Sequence, residues 1–243
     1  MRSWGITDAG LVRRENQDSY DVQTISGFTA AVVCDGMGGV AGGRLASSIA
    51  VDRFEQELGK ILKDAMSLQQ IGQAADYAVA VANEAIRQRA AEDEAYEHMG
   101  TTLVCALARD KQVVIVNVGD SRAYHISRDG IRQISRDHSL VEVLVERGDL
   151  TPEEARHHPK RNLITRALGP EPSVQADSFY VEWKQGDFLL LCSDGLVNTV
   201  SDQEILFEVI HNGEPDTCLA RLLAMSRQRG APDNVTAVLL MNI

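Results

Sequence analysis

Four aspartates sit at the ends of apolar runs in this sequence. The stretch "FTAAVVCDGMGG" carries Phe28 to Cys34 straight into Asp35, and "VVIVNVGDS" places Asp120 after an apolar run and a glycine turn. "FLLLCSDG" repeats the pattern with Asp194, and "APDNVTAVLL" sets Asp233 just before a run. A carboxylate at the end of a buried strand costs free energy unless something holds it. One such acid reads as a turn former or a helix cap. Four gathered by a sheet would repel one another severely without cations. Hard divalent ions that accept carboxylate oxygens and water, Mg²⁺ or Mn²⁺, answer that need.

The glycines after Asp35 serve the same end. Gly36, Gly38, Gly39, Gly42 and Gly43 let the backbone turn sharply and approach a ligand. A backbone carbonyl beside Asp35 is then a further candidate donor. "GMGGVA" also fits the glycine pattern of a dinucleotide-binding turn. Two features oppose that reading. Asp35 would sit where a pyrophosphate needs positive potential, and the region about 20 residues on is helical in pattern, with no second strand carrying an acid.

The elements that must position these residues follow from periodicity. Strand patterns cover Trp4 to Thr7, Ser19 to Ile25 and Phe28 to Cys34. Ala46, Ala50, Phe54, Leu58 and Ile61 then fall on one helical face, as do Leu68, Ile71, Ala75, Ala78, Ala82 and Ile86. Strands return at Thr102 to Ala108, Gln112 to Val118 and Arg122 to Ser127, with a turn at "SRDG" and a short strand from Ile131 to Ile134. The charged section from Asp137 to Gly169 opens with a helix from Leu140 to Arg147 and contains "TPEEA", where Thr151 caps a helix beginning at Pro152. Strands follow at Val174 to Val181 and Phe188 to Cys192, helices near Asp202 to His211 and Pro215 to Arg229, and a last strand from Val235 to Met241. Short hairpin spacings imply antiparallel sheet, so the fold class is α+β.

The chain has 243 residues, 44% of them hydrophobic, which suffices for a substantial core. Nothing reads as a linker, so residues 1–243 are expected to form one domain. A net charge of −11 repels phosphate backbones and anionic lipid, so neither nucleic acid nor membrane is expected as a partner. No apolar run approaches membrane-spanning length. "MRSWGITDAG" lacks a signal peptide's apolar stretch, and a cytoplasmic location is expected. Cys34, Cys105, Cys192 and Cys218 form no CxxC pair and read as reduced core thiols.

In order along the chain stand "GLVRRENQDSY", "VVCDGMGGVAGG", "GTTLV", "VVIVNVGDSRAY", "RDHSLV", "HPKRNLITRALG", "FLLLCSDGL" and "DNVTAVLL". Together these segments resemble the metal-dependent protein phosphatases of type 2C in their compact bacterial form. The resemblance implies a four-layer α-β-β-α sandwich of two antiparallel sheets flanked by helices, with metals in a cleft at one edge. It implies that Asp35 bridges two ions, that the Gly36 carbonyl binds one, and that Asp194 and Asp233 complete the other. Asp120, with Asp194, matches the pair that holds a third, weaker metal. Asp18 matches the acid that orients a metal-bound water. Asn234 is a candidate for orienting phosphate or water.

Arg13 matches the arginine that grips the substrate phosphate, where a planar guanidinium forks onto two oxygens. The resemblance implies a Mn²⁺- or Mg²⁺-dependent protein serine/threonine phosphatase in which a metal-bridging hydroxide attacks phosphorus directly. Its substrates would be phosphoserine and phosphothreonine proteins, its opposing partner a bacterial Ser/Thr kinase, and its state a monomer. Met37 stands where many eukaryotic relatives carry a histidine, so no histidine is given a catalytic role. The section from about 137 to 169 corresponds to the family's flap. There Arg161 and Arg166 could meet acidic substrate groups. Two other readings remain: a non-catalytic signalling module of the same fold, and a phosphatase of phosphorylated anti-sigma antagonists. The first would be marked by loss of the metal acids, all present here. The second is usually joined to a sensor domain, for which this chain has no room.

Overall fold

A computed structural model describes residues 1–211 and 214–243; the side chains of Val40 and Ala41, inside the glycine-rich motif, lie outside the described residues. Two antiparallel sheets face each other. The first has the strand order β1 (Arg2–Asp8), β11 (Val235–Met241), β10 (Phe188–Cys192), β7 (Arg122–Ser127), β8 (Gly130–Gln133). The second runs β2 (Asp18–Ile25), β3 (Phe28–Met37), β5 (Leu103–Arg109), β6 (Gln112–Val118), β9 (Asp177–Glu182), and β4 (Gly100–Thr101) pairs with the end of β3. Helices α1 (Gly39–Ile61) and α2 (Leu68–Ala91) cover the second sheet. Helices α5 (Asp194–Val197), α6 (Asp202–Ile210) and α7 (Pro215–Gln228) cover the first. This is the expected four-layer α-β-β-α sandwich.

Burial on both faces explains why the central strands are apolar throughout and do not alternate with polar residues. On β3, Ala30, Val32 and Cys34 pack under α1 and α2, while Ala31 and Val33 point between the sheets. On β10, Phe188, Leu190 and Cys192 face the other helices, and Leu189 and Leu191 face inward. The small faces of α1 and α2 let the helices approach closely: Ala46, Ala50, Ala75, Ala78 and Ala82 are all fully buried. Ser67 starts α2 with a capping box, taking the Gln70 amide while the Gln70 side chain accepts from the Ser67 amide. Such a cap stabilises a helix by about 1 kcal/mol.

The differences from expectation are local. The strand expected from Val174 begins only at Asp177. The two-residue β4 and the single-turn α5 are too short to leave a periodic signal. Within the flap, α3 (Leu140–Glu146) and α4 (Pro152–His157) contain no buried residue, and Thr151 forms the expected cap with Glu154.

Candidate metal centre

Strand parity places the first acids. Ala31 and Val33 point between the sheets, so Asp35, two residues further on, emerges at the inter-sheet edge. Asp18 lies directly across from Asp35 in the β2–β3 register. Ser193 continues the inward parity of Leu189 and Leu191, and its hydroxyl donates to Asp18 Oδ2 at 2.8 Å. The Thr236 amide donates to the same Ser193 hydroxyl at 3.0 Å. Asp18 on one sheet is therefore stitched to β10 and β11 on the other, at the mouth of the sandwich.

The backbone around Asp35 is fixed from three sides. Its amide donates to Thr102 Oγ1, while its carbonyl accepts from the Thr102 amide and from Thr101 Oγ1, all at 2.9 Å. Thr102 Oγ1 in turn meets Ser121 Oγ, beside Asp120, at 2.7 Å. Gly36 admits no side chain. A Cβ there would lie 2.0 Å from the Gly43 carbonyl oxygen and 2.6 Å from that of Gln17. Gly195 is equally constrained, 1.9 Å from the Asn234 carbonyl oxygen, and this presses α5 against the start of β11. Asp194 and Asp233 are brought together by that contact.

The five aspartates act on one another. Asp35 is pushed well above the usual carboxylate range by burial, then by the charges of Asp18, Asp194, Asp120 and Asp233. Its carboxyl hydrogen-bonds Asp194, which is itself raised by burial and by Asp233 and receives a 3.0 Å bond from Asn198. Burial and Asp194 raise Asp120 to about 8. Burial raises Asp18 to about 6, partly relieved by Thr236 and Ser193. Arg13 reaches in from the β1–β2 loop, donating to Asp233 Oδ2 at 2.7 Å. That bond raises its pKa, and Asp35 and Asp194 add to the effect. The structure thus brings together every predicted site residue: Arg13, Asp18, Asp35, Gly36, Asp120, Asp194 and Asp233.

Among the described residues no three acidic, histidine or cysteine side chains are already drawn up as a closed metal cluster. The carboxylates are instead occupied by Arg13, Asn198 and one another. The donor set still fits hard divalent ions: it is all oxygen, strongly anionic, and held on rigid strand ends. Asp18 Oδ1 is buried and has no hydrogen-bond partner in the protein.

Some roles differ from expectation. Asn234 is committed to the fold. Its Oδ1 accepts from the Gln17 amide, and its Nδ2 donates to the carbonyls of Ala9 and Glu15. It therefore clamps the loop that carries Arg13 and has no donor left for phosphate. His138 also serves position. Its Nδ1 accepts from the Gly119 amide at 3.0 Å, so Nε2 carries the proton, toward Asp177 Oδ2 at 3.1 Å. Burial lowers its pKa, and the neutral ring holds the turn bearing Asp120. Arg166 is tied to Asp177 and the Gln175 carbonyl, so its charge is already partnered within the protein. Arg161, by contrast, lines a cleft of about 780 Å³ between the flap and α5–α6 that reaches Asp120 and Asp194. Ser193 and Thr236 were not singled out in the sequence. Their signal was a lone hydroxyl continuing the inward parity of an apolar strand.

Known proteins place this chain in a family. The family model for protein phosphatase 2C matches residues 12–239. The serine/threonine phosphatase stp of Listeria innocua is 36% identical over 236 residues, covering 96% of this chain and 93% of that protein. The crystal structure of serine/threonine phosphatase Stp1 from Staphylococcus aureus superposes with a TM-score of 0.93 at 36% identity, covering 99% of this chain and 94% of that one. The catalytic domain of the serine/threonine protein phosphatase PstP, solved in complex with two manganese ions, gives a TM-score of 0.84 at 34% identity, covering 98% of this chain and 96% of that one. With the site assembled from the same segments that carry these matches, the chain belongs to the protein phosphatase 2C family.

Proposed function

We propose that this protein is a metal-dependent protein serine/threonine phosphatase formed as one catalytic domain over residues 1–243. The observation that carries this reading is the convergence of five aspartates, from both sheets, at one edge of the sandwich, with Arg13 paired to Asp233 among them. Asp35, the Gly36 carbonyl, Asp194 and Asp233 would hold two ions, Mn²⁺ or Mg²⁺, and Asp120 with Asp194 a third. Bound there, such ions would supply Lewis acidity to the phosphoryl oxygens and lower the pKa of a water toward neutrality.

The chain's own residues supply the rest. Arg13 is half exposed and stays charged, so a phosphate dianion can replace Asp233 as the partner of its fork. Asn234 fixes the loop that aims it. Asp18, whose Oδ1 has no partner in the protein, can orient a water or take its proton, while Ser193 holds Oδ2. His138 and Thr102 brace the backbone beside Asp120 and Asp35. The cysteines take no part: Cys34 and Cys192 are fully buried, and burial holds their thiols neutral.

The substrates we propose are phosphoserine and phosphothreonine proteins, bound along the cleft that Arg161 lines, with a Ser/Thr kinase as the opposing activity. The protein would act as a monomer in the cytoplasm; no helix among the described residues is long and apolar enough to cross a membrane. The test is hydrolysis of phosphoserine, phosphothreonine and phosphotyrosine peptides with Mn²⁺, Mg²⁺ or chelator. Metal-supported release of phosphate from the first two is expected. Full activity in chelator would overturn the reading.

A further inference from the structure

The turn that carries Asp120 is held by a ring whose own state is set elsewhere. Asp120 follows Gly119, and His138 takes both polar groups of that glycine. The Gly119 amide donates to His138 Nδ1 at 3.0 Å, and the Gly119 carbonyl accepts from the His138 amide at 2.9 Å. Asn117 Nδ2 donates to the same carbonyl at 3.2 Å and to the Arg136 carbonyl at 2.8 Å. The His138 carbonyl in turn accepts from the Thr165 amide at 2.8 Å, so the segment bearing Arg166 is tied to the same point.

The bond to Nδ1 exists in only one form of the ring. A neutral imidazole has one donor nitrogen and one acceptor. With a proton on Nδ1, His138 would aim a donor at the Gly119 amide and push the turn away. Asp177 selects the form that fits. Its Oδ2 lies 3.1 Å from His138 Nε2 and accepts the proton there, which leaves Nδ1 bare. His138 is 6% exposed, so solvent offers Nε2 little alternative.

Arg166 makes this choice sensitive. Its Nη1 lies 3.0 Å from the same Nε2. Both hydrogens of Nη1 are spent elsewhere, on Asp177 Oδ1 at 2.8 Å and on the Gln175 carbonyl at 3.0 Å. Without the Asp177 carboxylate, Arg166 could donate to Nε2, and the ring proton would move to Nδ1. We propose that Asp177 is a positioning residue for the metal centre: it holds His138 with the proton on Nε2, His138 holds the Gly119 turn, and the turn sets where Asp120 stands beside Asp194. The logic is that of a carboxylate orienting a metal-ligating histidine, with a peptide group in the place of the metal. It rests on the reading that Asp120 and Asp194 hold an ion.

The test joins two measurements on the whole protein. Imidazole ¹⁵N–¹H correlation spectra of the Mg²⁺-loaded protein report which nitrogen of His138 carries the proton. Titration calorimetry with Mn²⁺ reports the affinity of the weakest site. We expect Nε2 to be protonated in the parent. Asp177→Ala should move the proton to Nδ1 and weaken the weakest Mn²⁺ site at least about tenfold, leaving the tighter sites unchanged. Asp177→Asn, whose amide oxygen can accept the same N–H, should keep the parent tautomer and most of the affinity. His138→Asn replaces Nδ1 with an oxygen that cannot change its role, so adding Asp177→Ala to it should cost nothing further. The proposal is overturned if Nδ1 is protonated in the parent or if Asp177→Ala leaves tautomer and affinity unchanged. It is also overturned if Asp177→Ala weakens Mn²⁺ equally beside His138→Asn, which would mark a distant charge and not a positioning role. A parent that binds no Mn²⁺ overturns the metal reading and this proposal with it; the other outcomes overturn the proposal alone.

Discussion

Two acid-rich regions flank β2, and they are built in opposite ways. At the mouth of the sandwich each carboxylate is either hydrogen-bonded itself or anchored through its backbone. Ser193 holds Asp18, Thr101 and Thr102 fix the backbone of Asp35, Asn198 reaches Asp194, and Arg13 takes Asp233. Under α1, in the open groove between that helix and β2, the frame is looser: the Glu55 carboxyl meets the side chains of Gln23 and Asp21, and none of the ion pairs among the described residues involves Asp21, Asp52 or Glu55. The first region is preorganised: its geometry is fixed before a ligand arrives, as catalysis requires. The second is an accumulation of charge where a helix lies over a strand, not a frame that places atoms for reaction.

The comparison breaks most sharply at the mouth. Asp35→Ala or Asp194→Ala should abolish metal-supported phosphopeptide hydrolysis, a loss beyond the roughly 10–100-fold typical of groups that only support a metal ligand. If either variant keeps substantial turnover, the mouth is no more a reaction centre than the groove. Arg13→Lys keeps the charge but removes the fork, and should lower kcat/KM by about 10–100-fold, the worth of a charge-assisted hydrogen bond. Ser193→Ala should cost roughly 10–100-fold through Asp18, with a shifted pH profile for kcat, while phosphopeptide KM stays near that of the parent. An Asn234→Ala variant with normal KM would show that the loop carrying Arg13 needs no clamp.

Much of the first region was legible because strands make short-range rules work over long distances. A run buried on both faces announces its strand, and the acid that ends it must lie at the strand's edge. Asp35 and Asp194 were therefore placed by their neighbours alone. Convergence was not legible, because it depends on the packing of Gly195 against Asn234 and of Gly36 against Gly43, contacts between segments far apart in sequence. The same limit hid the actual work of Asn234: its place after Asp233 suggested phosphate, while its amide spends every bond on a loop more than 200 residues away. Glu55 left no signal at all. On α1 it stands among other polar residues, and only the laying of the helix over Asp21 and Gln23 buries it.

The smallest expected effect bears on stability and sharpens the contrast from the groove's side. Because burial raises Glu55 to about 8, the folded protein binds a proton there that the unfolded chain releases near its ordinary value of about 4.5. Between those values the native state carries more protons, so this group's contribution to stability falls as pH rises. Below the lower value both states are protonated and the effect vanishes; above the higher one the full penalty is present. Asp52 is exposed and the groove is open, so screening reduces the penalty to on the order of 1 kcal/mol. Glu55→Gln removes the charge and keeps the shape. It should raise Tm by about 2–4 °C above pH 8 and change it little near pH 4, as read by thermal denaturation across that range. Asp52→Asn should shift the same profile less, since its carboxylate already meets solvent. A Glu55→Gln protein that melts like its parent at every pH would mean that the groove already satisfies its charge, and the distinction between the two acid-rich regions would be lost.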